Sequence, residues 1–326
     1  MSVEEADPIP REGVVSLRLD PLRGMHRLQF FGFDTDIQVI MRGDAERART
    51  ASEKAIAAAR RYERLFSRFL PHSDVTRLNA ASGALVQVAV ETYELLERAL
   101  LYCQASGGMF DITAGAATRL WDFHARHIPS ADDLAQACAH VDWRGVELLG
   151  RTANGRGAVR LSDPEALVDL GGIAKGFIAD ALSDLLLDEG ISSHIVCLGG
   201  NVVVRGARND AGDPWRVAVP GAAGMSHSAL NLEVRDCSVV TSGISERAFE
   251  CGDELFHHVL DPHTGWPVQT DLASATVVAR RSIDAEGFST TLLALGQERA
   301  AAFALACPEI LEAHLITCSG GVFSAR

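Results

Sequence analysis

Apolar and polar positions alternate over 28–41 closely enough to predict a strand or a bent hairpin strand. An Ala- and Arg-rich stretch follows over 44–68, with Asp44 placed to cap a long helix. Over 91–105, Leu95, Leu96, Ala99, Leu100 and Cys103 recur at helical spacing, and Gly107-Gly108 supplies the stop. Ser130 opens another short helix. Beyond it strands dominate: 146–149 and 158–161 predict a hairpin around Asn154-Gly155, and 194–205, 215–219, 229–235 and 274–279 are β-rich. One clear helix over 174–189, stopped by Gly190, interrupts them. A helical pair over 284–295 and 298–306 and a strand over 314–318 close the chain. Helix and strand interleave without a regular βαβ rhythm, which predicts an α+β fold.

Composition narrows the class. The 326 residues are 47% apolar and 22% charged, enough for a folded chain of one large domain or two. Residues 1–25 are expected to be a flexible tail and 26–326 the folded domain. Asp and Glu number 43 against 30 Lys and Arg, a net charge of −13 that argues against nucleic acid or an anionic membrane as partner. No run approaches the ~18 apolar residues of a membrane span. The start, MSVEEADPIPREG, lacks the features of a secretory leader, so a cytoplasmic location is expected. Seven cysteines without a C-x-x-C pair read as reduced thiols, mostly buried, and not as a zinc site.

Four segments place glycine and polar residues where a core would want neither. Ser106-Gly-Gly-Met-Phe-Asp-Ile-Thr113 is either a ligand loop or a helix stop followed by an Asx turn. Val168-Asp-Leu-Gly-Gly-Ile-Ala-Lys-Gly-Phe177 runs from a strand end into a helix start, where free amides and Lys175 could hold phosphate; tight strand–helix packing explains its glycines equally well. In Phe256-His-His-Val-Leu-Asp-Pro-His-Thr-Gly265, a histidine before the turn could act as a base near neutral pH, or could be a satisfied core residue. In Asp284-Ala-Glu-Gly-Phe-Ser-Thr-Thr-Leu292, Glu286 and Thr290 stand four apart on one helix face. Their oxygens suit Mg²⁺ or Ca²⁺, the alternative being an exposed helix start whose acids favour the dipole.

Together and in this order the segments resemble the ApbE family of FAD:protein FMN transferases. Further landmarks are Phe33-Asp34-Thr35, Ser67-Arg-Phe69 with Leu78-Asn79, Leu120-Trp121, Leu198-Gly-Gly200, Trp215-Arg216 and Thr241-Ser-Gly243. The resemblance implies an α+β fold with a T-fold-like core and a smaller subdomain. It implies Mg²⁺-dependent transfer of FMN from FAD to a Thr or Ser hydroxyl of an acceptor flavoprotein, with release of AMP. It implies one or two Mg²⁺ ions as cofactor and FAD as substrate; some relatives hydrolyse FAD instead. Hydrolysis of FAD to FMN and AMP, or FAD binding without catalysis, are the alternatives.

Residue by residue, the likeness implies FAD contacts at Phe33, Phe69, Met109, Phe110, Asp111, Asp169 and Lys175 and at the backbone of Val259 or Leu260. It implies Mg²⁺ ligands at the Gly172 carbonyl, Glu286 and Thr290, and His258 as the base that takes the acceptor's proton. The chain departs from the family at Glu286, where Asp is usual, at Phe69 for Tyr, and at Phe33-Asp34 for Met-Gly. Asp284 is a possible substitute for Glu286 as ligand.

Overall fold

A computed structural model describes residues 15–326 except 153, 222–228 and 253. Of the segment expected to be a tail, residues 1–14 lie outside the described residues, and the remainder already holds a strand. This strand, β1 (Ser16–Arg18), pairs antiparallel with β2 (Met25–Gly32), which turns directly into β3 (Thr35–Arg42). The 28–41 stretch is therefore a hairpin. Its two-residue turn, Phe33-Asp34, has φ of 55° and 59°, a hand that matches strand twist but is usually left to Asn and Gly.

Asp44 caps α1 (Ala45–Phe66), its carboxylate accepting from the amides of Glu46 and Arg47. A short helix that the sequence reading did not anticipate, α2 (Asp74–Asn79), starts behind a Ser73 cap and precedes β4 (Val86–Val88) and α3 (Val90–Ala105). Next come α4 (Gly115–Thr118), α5 (Ala131–Cys138) behind its Ser130 cap, β5 (Val146–Arg151) and β6 (Gly157–Leu161). Strands β4, β6 and β5 form a small sheet packed on α3. The helix α6 (Ala174–Asp188) leads to β7 (Ser193–Leu198) and β8 (Asn201–Arg205), split by Gly199, whose φ is 57°.

The hairpin β9 (Trp215–Val219) and β10 (Leu230–Val234) is followed by β11 (Cys237–Gly243), β12 (Ala248–Cys251), β13 (Glu254–His257) and β14 (Leu272–Ala279). The chain ends with α7 (Ser282–Leu295), α8 (Gln297–Ala306), β15 (Ile310–Thr317) and β16 (Val322–Ala325).

Nine antiparallel strands form the main sheet in the order β1-β2-β3-β7-β8-β11-β14-β15-β16. Helices α1, α6, α7 and α8 pack side by side on one face. On the other, Trp215, Val217 and Val234 of the β9–β10 hairpin cover Val204, Val239 and Val278. β14 is buried along its whole length, Ser274 and Thr276 included, so both of its faces lie inside the molecule. Among the described residues no helix is long and apolar enough to cross a membrane, and all seven cysteines are unpaired.

Candidate active site

The centre of the helical layer is α7, buried at every residue from Ser282 to Ser289. An exposed helix start is thereby excluded for the fourth segment: its acids sit inside and need partners. Glu286, 3% exposed, places Oε1 2.7 Å from Lys175 Nζ and accepts the Gly176 amide with Oε2. That amide lies in the first turn of α6, where N–H groups lack helical partners and the helix dipole favours an anion. Gly176 permits the approach, since a Cβ there would meet the Ser282 carbonyl oxygen at 2.6 Å. Lys175 Nζ also donates to the Gly171 carbonyl at 3.1 Å. Asp284 faces elsewhere, accepting from Tyr102 Oη and, at 3.2 Å, from Arg98. Burial beside this carboxylate raises the Tyr102 phenol, so it stays a donor.

The first two segments run side by side. The Asp169 amide donates to the Ile112 carbonyl at 2.8 Å, Ala114 bridges to Leu167 in parallel, and the Phe110 ring packs on Gly172. Asp111 forms the Asx turn, accepting from Thr113 N–H and Oγ1, both at 2.7 Å, while its other oxygen accepts the Trp143 amide at 3.1 Å. Burial raises its pKa against these hydrogen bonds. Met109 is half-buried beside it. Asp169 caps its own turn through the Gly171 amide and pairs with Arg68 at 3.2 Å. Arg68 in turn lies 4.6 Å from the centre of the Phe69 ring, which is 79% exposed. One face of that ring is thus covered by a cation.

His258 lies just past β13. Its Nδ1 is buried without a hydrogen-bond partner, and its amide donates to the Arg247 carbonyl at 3.0 Å. Burial, reinforced by the positive charges of Arg247 and Lys175, pushes its pKa down to about 4, so the imidazole is neutral at pH 7. His257, 4% exposed, is likewise lowered by burial and faces the core. Val259 is buried, its carbonyl accepting the Val268 amide at 3.0 Å, and Leu260 bridges to Pro267. The turn beyond is fixed by Trp121, whose Nε1 donates to the Gly265 carbonyl at 3.0 Å. His263 pairs with Asp261 at 3.0 Å and closes on Gly108. Arg247 reaches Asp34 at 2.9 Å, tying the Phe33-Asp34 turn to the His258 segment. Phe33 is half-buried there, its amide donating to Glu63 at 2.9 Å.

Residues 31–315 match the ApbE family model. The chain belongs to the ApbE family. It is 36% identical over 278 residues to the FAD:protein FMN transferase of Treponema pallidum, covering 82% of this chain and 77% of that protein. Identity to an FAD:protein FMN transferase of Klebsiella pneumoniae is 32%, covering 79% of each. The fold matches the ApbE protein of Thermotoga maritima with a TM-score of 0.84 at 24% identity, over 93% of this chain and 97% of that one. For the flavinyl transferase ApbE of Pseudomonas stutzeri the TM-score is 0.79 at 24% identity, over 95% and 94%.

Within this ApbE chain, contacts and charge link the four segments read from the sequence: Phe110 to Gly172, Lys175 to Glu286, Gly108 to His263, and Lys175 to His258 through its field. Phe69 stands at the outer end of the series and Val259 within the core. Sequence reasoning passed over Arg247, and it named Arg68 and Ser242 only as members of the Ser67-Arg-Phe69 and Thr241-Ser-Gly243 landmarks, with no role for either. Arg68 sits inside the Ser67-Arg-Phe69 landmark and Arg247 two residues before Phe249, but their partners Asp169 and Asp34 are far away in sequence. Only the left-handed turn at Asp34, where the family usually has Gly, carried a local signal.

Proposed function

We propose that this chain is an FAD:protein FMN transferase that moves FMN onto a Thr or Ser hydroxyl of an acceptor flavoprotein and releases AMP. Family membership supports the reaction class. The observation that carries the reading to these residues is the juxtaposition of a buried carboxylate, Glu286, with Lys175, a helix N-terminus and a neutral imidazole. In this reading 26–326 form the catalytic domain, supported by one apolar cluster extending from Leu28 to Leu315. Seven unpaired cysteines support a reducing compartment, the cytoplasm.

The donor set suits a hard divalent cation: an anionic oxygen from Glu286, the Thr290 hydroxyl and the Gly172 carbonyl, with no soft ligand among them. Among the described residues no cluster of three His, Cys, Asp or Glu side chains could hold a metal by itself, so carbonyl and hydroxyl oxygens would have to complete the shell. Bound there, Mg²⁺ would supply positive charge against the diphosphate. Phe33, Phe69, Met109, Phe110, Asp111, Asp169 and the backbone of Val259 and Leu260 would hold the dinucleotide.

Lys175 is placed to turn from Glu286 to a phosphate oxygen. The acceptor hydroxyl attacks the FMN-side phosphorus as the bond to the AMP phosphate breaks, and its proton passes to a free nitrogen of His258. Burial does most to lower His258, and Arg247 and Lys175 add to it; the diphosphate's negative charge would offset those two cations and so strengthen the base when substrate is bound. Incubation with FAD, Mg²⁺ and a peptide bearing Asp-Gly-x-Thr-Gly-Ala-Thr tests the proposal. Mass spectrometry is expected to show peptide carrying FMN together with AMP. Free FMN with AMP and unmodified peptide would make the chain a hydrolase, and intact FAD would make it a binder.

A further inference from the structure

We infer that Ser242 is a positioning residue that orients the Thr290 hydroxyl, an inference that rests on the metal reading above. The argument is one of proton counting. Each hydroxyl has a single proton to donate. For all three contacts of this cluster to be hydrogen bonds at once, Ser289, fully buried, has to donate its proton to the Glu286 carbonyl at 3.2 Å, which can only accept. The 2.8 Å contact between Ser242 Oγ and Ser289 Oγ must then be donated by Ser242. With that proton committed, the 3.1 Å contact between Ser242 Oγ and Thr290 Oγ1 must be donated by Thr290.

The chain of hydroxyls therefore runs one way, from Thr290 through Ser242 and Ser289 to the Glu286 carbonyl, and each bond polarises the next. Thr290 sends its proton into the protein and keeps its lone pairs outward, on the helix face it shares with Glu286. A hydroxyl that ligates a cation needs this orientation. Left alone, a helical Thr turns its proton to a carbonyl three or four residues back. Ser242 diverts it. The serine is itself held by the β-ladder, opposite Ala275 in β14, so its oxygen is a fixed point beneath α7.

Titration of the full chain with Mn²⁺, followed by the loss of the free-ion EPR signal and with no FAD present, reads this directly. Outer partners of metal ligands typically set affinity by 10–100-fold, so Ser242→Ala is expected to raise the Mn²⁺ Kd by about that factor. Ser242→Thr, which restores a hydroxyl, is expected to recover binding, and Ser289→Ala, which breaks the next link, to weaken it. Circular dichroism melting identifies any variant that fails to fold. Wild-type Mn²⁺ affinity in a folded Ser242→Ala, alongside loss of binding in Glu286→Ala, overturns the role of Ser242 alone. A wild-type chain that binds no Mn²⁺, or whose binding survives Glu286→Ala, overturns the metal reading and the positioning role with it.

Discussion

Gly176→Ala puts the assembly of the site to a quantitative test. A Cβ at 176 would lie 2.6 Å from the Ser282 oxygen, 2.8 Å from Ile283 Cα and 2.9 Å from Ile283 N. Ordinary carbon contacts sit at about 3.5–4.0 Å, so α6 and α7 would have to separate by something on the order of 1 Å. All three atoms are backbone, and no side chain can step aside. In an exposed helix the same substitution would stabilise by about 1 kcal/mol through propensity. Here overpacking costs about 1–3 kcal/mol, and pulling the Gly176 amide off the buried Glu286 carboxylate costs about 1–3 more. Set against the propensity gain, the expected net loss is about 3 kcal/mol. Urea unfolding should show it as a lower midpoint at unchanged slope, accompanied by slower FMN transfer at saturating Mg²⁺. A variant as stable as wild type, or more so, would refute the close approach of the two helices and the account of Glu286 built on it.

His258→Ala is expected to bind FAD with near wild-type affinity while transfer falls by about 10²–10⁴-fold; an unchanged rate would remove the imidazole from the reaction. Glu286→Ala should raise the Mg²⁺ concentration needed for turnover, whereas Asp284→Asn should lower the melting temperature with the Mg²⁺ requirement unaltered. The reverse pattern in a metal titration would exchange their roles. Acid stability follows from His194 and His258, both held by burial at about 4 instead of 6.5. Between those values the unfolded chain binds protons that the folded chain refuses. Stability should therefore be flat in these groups above pH 6.5 and fall toward pH 4, by at most about 1.4 kcal/mol per unit for each histidine. Urea midpoints at pH 7.5 and 5 that coincide would contradict the neutral, buried imidazoles.

Elements with a single apolar stripe or a side-chain cap were legible in the sequence. Helix α1 behind Asp44, α3 before its glycine pair and α6 before Gly190 all lie within two residues of their predicted ends. For α7 the span was readable but its setting was not. Glycine and two acids look like an exposed first turn, yet Gly287 makes room for the Tyr102 ring, and each acid meets a partner from a distant element. Strands β11, β12 and β13 carry Cys, Ser, His and charged residues and gave no clean alternation. At the site, residue types and order exposed Lys175, His258 and Glu286, because each sits in a motif. The bonds that organise them join residues 48 to 213 positions apart, as with Ser242 and Thr290 or Asp34 and Arg247, and no local window contains both ends.

The burial of α7 has a mechanical consequence. Residues locked in the middle of a packed layer exchange their amide protons only when much of the molecule opens, whereas a hairpin tip and a surface ion pair yield to small fluctuations. Glu286 thus belongs to a stiff wall. Phe33 and the Arg247–Asp34 contact, whose partners are 53% and 74% exposed, belong to a compliant one. A bulky macromolecular recipient would be admitted from the yielding side, while the geometry at the stiff side is preserved from one turnover to the next.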